Sequence, residues 1–279
     1  MNLNDLARRH SRTFGGLTPA MWVISDLSEL SYERLLTSES EASPELIAKV
    51  AEMAKRYRKG EPLQYILGHW SFRELDLLTD SRGLIPRPET EMLPELAMAM
   101  LGKRRDLVAV DLGTGTGAIG LSLAVSGRFS RLYLTDISLA TLSLASANID
   151  RNRALVRGMV FLSRGSWFAA LPARLQGAVD LVVANPPYIP TNAIANLDKR
   201  VLYEPLLALD GGVSGVSALL EILAGAPEFL KPGGAIVLEM GDEQGEALSH
   251  VAELFGYTEI VIRKDSSMRP RFLTARWPR

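Results

Sequence analysis

Hydrophobic positions in the first 70 residues of the chain repeat at the spacing of helices. Between Ser43 and Gly60, apolar residues recur every three or four positions, which is the pattern of one buried helix face. Thr18-Pro19 and Ser43-Pro44 each join an N-cap residue to a proline at the first helical position. The pattern predicts a small helical bundle. The apolar positions behind Ser43 are Leu46, Ile47, Val50, Met53 and Ala54.

The pattern changes between residues 71 and 84. Apolar residues such as Phe72 and Leu77 alternate there with polar ones, and a Ser-Arg-Gly sequence at 81–83 has the composition of a turn. This alternation predicts a short β-hairpin that links two parts of the chain. A helix is expected to follow from about residue 89 to residue 101.

From residue 107 onward, short apolar segments alternate with segments of helical spacing. Strands separated by helices form a parallel, doubly wound α/β sheet that binds ligands at the carboxyl ends of its strands. We therefore predict a helical bundle at 1–70, a β-hairpin linker at 71–86 and an α/β domain at 87–279. The predicted strands are 107–110, 131–135, 159–162, 179–184, 235–239 and two near the end of the chain, and the helices are 118–125, 138–151, 217–230 and 243–255, with a turn at 231–234.

A glycine-rich segment follows the first predicted strand of the α/β domain. It reads Asp111-Leu-Gly-Thr-Gly-Thr-Gly117, so Gly113, Gly115 and Gly117 let the backbone turn sharply and approach a ligand closely. The free N–H groups of the next helix point into the same space. Gly113-x-Gly115-x-x-Ala118 also satisfies the dinucleotide fingerprint. The glycines alone therefore do not choose between NAD and S-adenosylmethionine.

Two acidic residues lie beside this loop. Asp136 ends the next predicted strand, where a carboxylate accepts hydrogen bonds from both hydroxyls of a ribose. Asp111 precedes the first glycine, where a carboxylate would repel a pyrophosphate but suit a cationic amino-acid group. Asp111 therefore favours S-adenosylmethionine over NAD.

The sequence Asn185-Pro186-Pro187-Tyr188 follows the apolar strand predicted at 179–184. The two prolines stiffen the loop and remove backbone donors from it, so the Asn185 oxygen and the Pro186 carbonyl remain as acceptors. A planar NH₂ group has two N–H donors, which two converging acceptors would orient, and Tyr188 offers a flat aromatic face. We predict that this loop holds an amide or amino nitrogen for methyl transfer, which needs positioning more than a strong base.

The composition narrows the classes of function. The chain has 279 residues, 47% of them hydrophobic and none of them cysteine, which excludes disulfides, thiolate nucleophiles and iron–sulfur clusters. Three histidines lack a partner at metal-ligand spacing, so no metal site is expected. No signal peptide or apolar run of about 18 residues is found, so we expect a cytoplasmic protein without a membrane partner.

The charge of the chain gives little reason to expect a nucleic-acid partner. The net charge is −1, so no global field attracts a polyanion, and no stable nucleic-acid partner is expected. Two basic runs, at 55–59 and 263–279, are typical of solvated segments but leave contact with RNA or an acidic surface open.

These motifs together resemble the release-factor glutamine methyltransferases (the HemK/PrmC family) over nearly the whole chain. The glycine loop is shared by many methyltransferases, and Asn-Pro-Pro-Tyr also occurs in DNA adenine methyltransferases. The combination of that motif with Pro-Arg-Pro-Glu-Thr-Glu is highly specific. The matching segments are 61–68, 84–91, the glycine loop, 185–189, 203–205, 208–212, 230–234 and 239–241.

The resemblance implies a Rossmann-like class I methyltransferase sheet behind a helical domain that helps dock the substrate. It implies methylation of the glutamine side-chain amide in the Gly-Gly-Gln motif of peptide chain release factors, with S-adenosyl-L-homocysteine as the other product. It also implies that residues 113–117, Asp136, Trp167 and Asn185 contact the cofactor, with Trp167 against the adenine. The loop includes Thr114 and Thr116.

Several alternatives are open at this point. Sister enzymes that methylate a ribosomal protein usually carry Pro-Arg-Ser-Pro where this chain has Pro86-Arg-Pro-Glu89, which favours release factors. An adenine-N6 methyltransferase would use the same acceptors on a flipped base. An NAD-dependent oxidoreductase leaves Asn185-Pro-Pro-Tyr188 unexplained, and a non-catalytic binding protein predicts damaged motifs. The tail departs from the family, since residues 265–271 read DSSMRPR.

Overall fold

The computed structural model describes residues 1–278, which fall into two compact units. The first unit contains Met1–His69 together with Asp198–Tyr203. The second contains Trp70–Leu197 and the remainder from Glu204. The segment Asp198–Tyr203 therefore leaves the second unit and packs with the first, which the alternation of apolar and polar residues does not indicate.

The first unit is helical. Ser43 caps its longest helix by accepting a hydrogen bond from the backbone N–H of Leu46, as the Ser-Pro pair predicts. The Thr18 prediction is wrong by two residues, because the helix begins at Leu17 behind Gly16 and has no side-chain cap. The helices are α1 (Leu3–His10), α2 (Leu17–Ser28), α3 (Tyr32–Leu36), α4 (Pro44–Arg58) and α5 (Leu63–Leu67).

The core of the helical unit forms where the apolar faces of these helices meet. Phe14, between α1 and α2, is fully buried, and its ring lies 5.4 Å from that of Tyr57 on α4. Val50 and Ala54 from the predicted apolar stripe of α4 are buried in the same cluster. The helical spacing thus marks the face that packs inward.

A β-hairpin follows the helical unit. Its strands are β1 (His69–Phe72) and β2 (Leu75–Leu78), and they form a separate sheet. The chain reverses at Arg73, which has a positive φ of 53°. The Ser-Arg-Gly sequence at 81–83 is thus not the hairpin turn; it lies in a loop beyond β2.

The second unit is built on a sheet of seven strands within residues 1–278, in the order β5-β4-β3-β6-β7-β9-β8. The strands β3 to β7 are parallel, and β9 is antiparallel to both β7 and β8. The doubly wound fold is confirmed, with an antiparallel addition at one edge. The strands are β3 (Leu107–Leu112), β4 (Phe129–Asp136), β5 (Met159–Arg164), β6 (Val179–Ala184), β7 (Leu230–Glu239), β8 (Thr258–Lys264) and β9 (Pro270–Arg276).

Helices cover both faces of this sheet. A 3-10 turn at Glu89–Glu91 leads into α6, so the predicted helix begins with a tighter turn. The predicted turn at 231–234 lies inside β7, where the pairing with β6 shifts register. The helices are α6 (Met92–Leu101), α7 (Ala118–Val125), α8 (Leu139–Arg151), α9 (Ser217–Phe229) and α10 (Gly245–Leu254).

Two hydrophobic clusters lie on opposite faces of the sheet because successive side chains of a strand alternate in direction. Val108, Val110 and Leu112 pack into one cluster with α9 and α10. Leu107 and Ala109 pack into the other with α6 and α7. Strands that are buried on both faces show continuous apolar runs. None of the helices within residues 1–278 is both long and apolar enough to cross a membrane.

Candidate active site

The site lies where the direction of strand addition reverses. The chain builds β3, β4 and β5 towards one edge and then returns to place β6 on the other side of β3. Leu112 at the end of β3 pairs with Ala184 at the end of β6. Gly113 and Asn185 therefore start from adjacent strand ends, although they are far apart in sequence. A parallel sheet opens a ligand crevice at such a point.

The glycine loop has the backbone that its composition predicts. Gly113, Gly115 and Gly117 have φ values of +68°, +58° and +87°, which side chains rarely allow. A Cβ on Gly113 would lie 3.3 Å from Cζ3 of the Trp167 indole. Glycine is therefore needed at position 113 both for the turn and for the close approach of the indole.

Asp111 stabilises the loop from below. Its side chain is 2% exposed, and its Oδ2 accepts hydrogen bonds from Thr114 Oγ1 at 2.6 Å and Gly120 N at 2.9 Å. Burial raises the pKa of this carboxyl to about 6. Among the described residues, Asp111 and Gly117 do not form part of the cavity wall. The hydrogen bonds of Asp111 hold the loop in place, and the contact of Asp111 and Gly117 with the cofactor stays a prediction.

Asp136 does face the crevice. It ends β4 and lines a cavity of about 990 Å³ together with Gly113, Thr114, Gly115 and Thr116. Its carboxylate accepts hydrogen bonds from the backbone N–H groups of Ser138 at 2.9 Å and Gly115 at 3.2 Å. Burial nevertheless raises the pKa of Asp136 above its ordinary value. A cavity of this size holds a nucleoside-sized ligand.

Trp167 closes one side of the cavity. It follows β5 with a φ of 42°, a backbone conformation that is strained for a tryptophan. Its Nε1 donates a hydrogen bond to Glu221 Oε2 on α9 at 3.0 Å, which fixes the indole above the glycine loop. No motif or spacing in the sequence marks Glu221 as a residue of the site.

The acceptor loop divides its residues between the cavity and the core. Asn185, Pro186 and Pro187 line the cavity, whereas Tyr188 does not belong to its wall among the described residues. The Tyr188 hydroxyl lies 3.3 Å from Glu239 Oε1, and burial raises its pKa. This contact supports the loop, and the role of Tyr188 as an aromatic face for the substrate stays a prediction.

A buried hydrogen-bond network lies under Asn185. Asn185 Nδ2 donates to Thr90 Oγ1 at 3.3 Å, and Thr90 Oγ1 donates to Glu239 Oε2 at 2.7 Å. Glu239 is 2% exposed, and burial raises its pKa to about 7. Neither Thr90 nor Glu239 is among the site residues predicted from the sequence. Glu239 could have been found as the residue that ends a strand at the ligand edge, but Thr90 carries no such signal.

Arg87 lies between the cavity and a buried carboxylate. Arg87 lines the cavity, and its Nη2 donates to the buried Glu204 Oε1 at 2.5 Å. The other oxygen of Glu204 accepts from the backbone N–H of Ile85 at 2.9 Å. This ion pair therefore fixes the segment that enters the site, while Glu89 is not part of the cavity wall among the described residues.

Comparison with known proteins agrees with this geometry. A family model described as "PrmC N-terminal domain" matches residues 18–68, and one described as "Lysine methyltransferase" matches 92–197. A release factor glutamine methyltransferase of Moorella thermoacetica is 39% identical over 248 residues, which cover 88% of this chain and 86% of the relative. This chain belongs to the release factor glutamine methyltransferase family. It is therefore an enzyme of the methyltransferase class.

Further members of the family extend the match. The Agrobacterium fabrum enzyme of the same name is 34% identical over 266 residues, covering 93% of this chain and 90% of the relative. The Gloeobacter violaceus enzyme is 42% identical over 192 residues, covering 68% of this chain and 65% of the relative. Both names refer to release factors.

Solved structures share the fold. A methyltransferase from Pyrococcus furiosus has a TM-score of 0.55 at 20% identity, covering 75% of this chain and 92% of that one. The hMettl16 catalytic domain in complex with a 3′UTR hairpin has a TM-score of 0.57 at 12% identity, covering 85% of this chain and 81% of that one. At these identities the likeness concerns the fold of the family alone.

Proposed function

We propose that this chain transfers a methyl group from S-adenosylmethionine to a glutamine side-chain amide nitrogen, in the Gly-Gly-Gln motif of peptide chain release factors. The observation that carries the proposal is the Asn185 amide at the switch point of the sheet. Its nitrogen donates a hydrogen bond to Thr90, and its oxygen accepts no hydrogen bond among the described residues. The names of the family members supply the substrate class.

The residues around the cavity fit S-adenosylmethionine. Asp136 presents a carboxylate suited to ribose hydroxyls, and the indole of Trp167 offers a flat apolar surface suited to an adenine. The glycine loop between them lets a ligand approach the backbone closely at Gly113 and Gly115, because these two residues lack Cβ atoms. The buried Asp111 Oδ1 has no hydrogen-bond partner among the described residues and adds negative potential beneath the loop.

The chemistry requires positioning of the acceptor nitrogen. When bound, S-adenosylmethionine supplies a methyl group that is activated by the positive charge on sulfur. In the proposed reaction the amide nitrogen forms a new bond to the methyl carbon while the carbon–sulfur bond breaks and its electron pair stays on sulfur. The nitrogen then loses one proton to water. Asn185 Oδ1 and the Pro186 carbonyl would accept the two N–H groups and stabilise the positive charge that develops on nitrogen.

The proposal also concerns where the enzyme meets its substrate. The helical unit, which matches the PrmC N-terminal domain, is proposed to help dock the release factor. Translation termination takes place in the cytoplasm, so the proposal assigns the enzyme to that compartment.

A transfer assay tests the proposed function. Methyl-labelled S-adenosylmethionine is incubated with the chain and an unmodified release factor. We expect label on that protein and none on a variant whose Gly-Gly-Gln glutamine is replaced. An adenine-containing DNA or RNA and a ribosomal-protein substrate are assayed in parallel. Label on either of these and none on the release factor would overturn the substrate assignment.

A further inference from the structure

The hydrogen-bond network under Asn185 decides which end of its amide faces the substrate. A hydroxyl has one proton to donate, and Thr90 donates it to Glu239 Oε2 at 2.7 Å. Towards Asn185, at 3.3 Å, Thr90 Oγ1 can then act as an acceptor only. The nitrogen end of the Asn185 amide must therefore face Thr90, and the oxygen end is left for the substrate.

The opposite orientation would fail on both sides of the amide. With the oxygen turned to Thr90, two acceptors would face each other, because the Thr90 proton is already committed to Glu239. The Asn185 NH₂ group would then meet the NH₂ group of the acceptor amide, so that two donors would face each other. Each such contact sacrifices a hydrogen bond in a partly desolvated site.

We propose that Glu239 is a positioning residue that acts through the Thr90 hydroxyl to hold the Asn185 oxygen towards the substrate nitrogen. Glu239 reaches this position because it is the last residue of β7, next to β6 in the sheet. Thr90 reaches it from the 3-10 turn before α6, 95 residues away from Asn185 in sequence. The inference rests on the proposed function, because it assigns the orientation that an amide substrate requires.

The charge on Glu239 controls this orientation. A carboxylate accepts hydrogen bonds only, whereas the protonated acid can donate to Thr90 and free the threonine proton for the Asn185 oxygen. Burial raises the pKa of Glu239 to about 7, and the hydrogen bond from Thr90 opposes that rise. Arg271 and the Tyr188 hydroxyl also oppose it, whereas Glu89 raises the pKa further. The carboxylates of Asp265 and Asp242 raise the pKa of Arg271 and so favour its charged form.

Thr90→Val and Glu239→Gln test the network with two measurements. The first measurement is the side-chain amide resonance of Asn185 in ¹⁵N-asparagine-labelled protein, assigned by its loss in Asn185→Ala. We expect this resonance to titrate near pH 7 in the wild-type enzyme, to shift in Thr90→Val, and to stop titrating in Glu239→Gln. This measurement does not depend on which acceptor the enzyme methylates.

The second measurement is kcat for transfer to the release factor as a function of pH. We expect kcat of the wild-type enzyme to rise with pH through about 7 as Glu239 ionises. Thr90→Val should lower kcat at pH 8 by about 10- to 100-fold, the range for a misplaced reactant. Glu239→Gln should lower kcat and flatten this limb of the profile. Thr90→Ser should restore most of the rate because it keeps the hydroxyl.

Thr274→Val is the matched control. Thr274 is also a buried threonine, and its hydroxyl donates to the Val261 carbonyl at 3.1 Å on the far strands of the sheet. We expect this variant to keep its kcat and pH profile. The inference is overturned if the Asn185 resonance changes neither with pH nor in Thr90→Val. It is also overturned if kcat of Thr90→Val stays within twofold of the wild-type value. If the resonance responds but the release factor is not methylated, the proposed function fails and the network stands.

Discussion

At the scale of single residues, Asn185 has the central place in the proposed chemistry because its side chain lies between the cavity and a buried support. Its nitrogen donates a hydrogen bond to Thr90, while its oxygen accepts no hydrogen bond from the described residues. Tyr188, three residues later, points the other way and contacts Glu239. The same short loop thus contains Asn185, which is proposed to accept a hydrogen bond from the substrate, and Tyr188, which holds the loop in place through Glu239.

Asn185→Ala should lower kcat by at least about 100-fold, the size of effect seen when one preorganised hydrogen bond at a reacting centre is removed. Asn185 is only partly buried, so thermal unfolding should change little. The measurement is single-turnover transfer at saturating cofactor. Asn196→Ala is the control, since Asn196 is an exposed asparagine that ends a 3-10 helix in the same connection between β6 and α9. Turnover within a few-fold of wild type would exclude Asn185 as the group that holds the acceptor.

At the scale of elements, the site is a product of strand ends and the turns that follow them. β3 and β6 are adjacent and in register, so the glycine loop and the acceptor loop begin side by side. β4 and β5 contribute Asp136 and Trp167 from the same edge. The Gly113 backbone and the Trp167 indole lie so close that a methyl group between them would be in contact with the ring.

Gly113→Ala and Gly177→Ala together separate the loss of stability caused by a positive φ from the loss of ligand affinity at the site. Both glycines have positive φ, of +68° and +60°, so each alanine should destabilise the protein by about 1–2 kcal/mol. Only the alanine at 113 would press on Trp167, because a Cβ on Gly177 meets nothing within 4 Å. Calorimetry should show weaker S-adenosylhomocysteine binding for Gly113→Ala alone. Equal affinity in both variants would contradict the proposed cofactor site.

At the scale of the whole molecule, several basic residues of the two runs form ion pairs within the protein. Lys55 pairs with Glu52 at 3.2 Å and Arg56 with Glu61 at 2.5 Å within the helical unit. In the C-terminal segment, Arg276 pairs with Glu259 at 2.9 Å. Carboxyl groups are also buried at the edge of the sheet that carries the site, and burial raises their pKa.

Asp111→Asn tests how the burial of this carboxyl makes the free energy of unfolding depend on pH. Burial raises the pKa of Asp111 from about 3.8 to about 6, so the folded state holds a proton that the unfolded state has lost. This contribution to stability is complete below pH 3.8 and is lost as pH rises to about 6, by about 1.4 kcal/mol per pH unit and roughly 3 kcal/mol in all. The free energies of unfolding of Asp111→Asn and of the wild type are measured with urea as a function of pH. The value of the variant relative to that of the wild type should therefore rise between pH 3.8 and about 6, and the difference should be constant at higher pH. A difference that is independent of pH would refute the assignment.

The sequence by itself determined the order of the elements and the loops that carry the chemistry. The spacing of apolar residues gives α7 and β6 their observed bounds, and the glycines at 113, 115 and 117 require the positive φ values that the loop has. These features are local, because each depends on residues within one element or turn. Local rules also place Asp136 and Asn185 at strand ends, and the sheet then brings them to one edge.

Only the tertiary structure decided which side chains face the cavity and which support it. Asp111 and Tyr188 sit in motifs that suggest ligand contact, yet their hydrogen bonds turn them towards Gly120 and Glu239. Thr90 joins the site across 95 residues of sequence. The physical reason is that a hydrogen-bond partner is chosen by distance and direction in the folded protein, which no periodicity along the chain encodes.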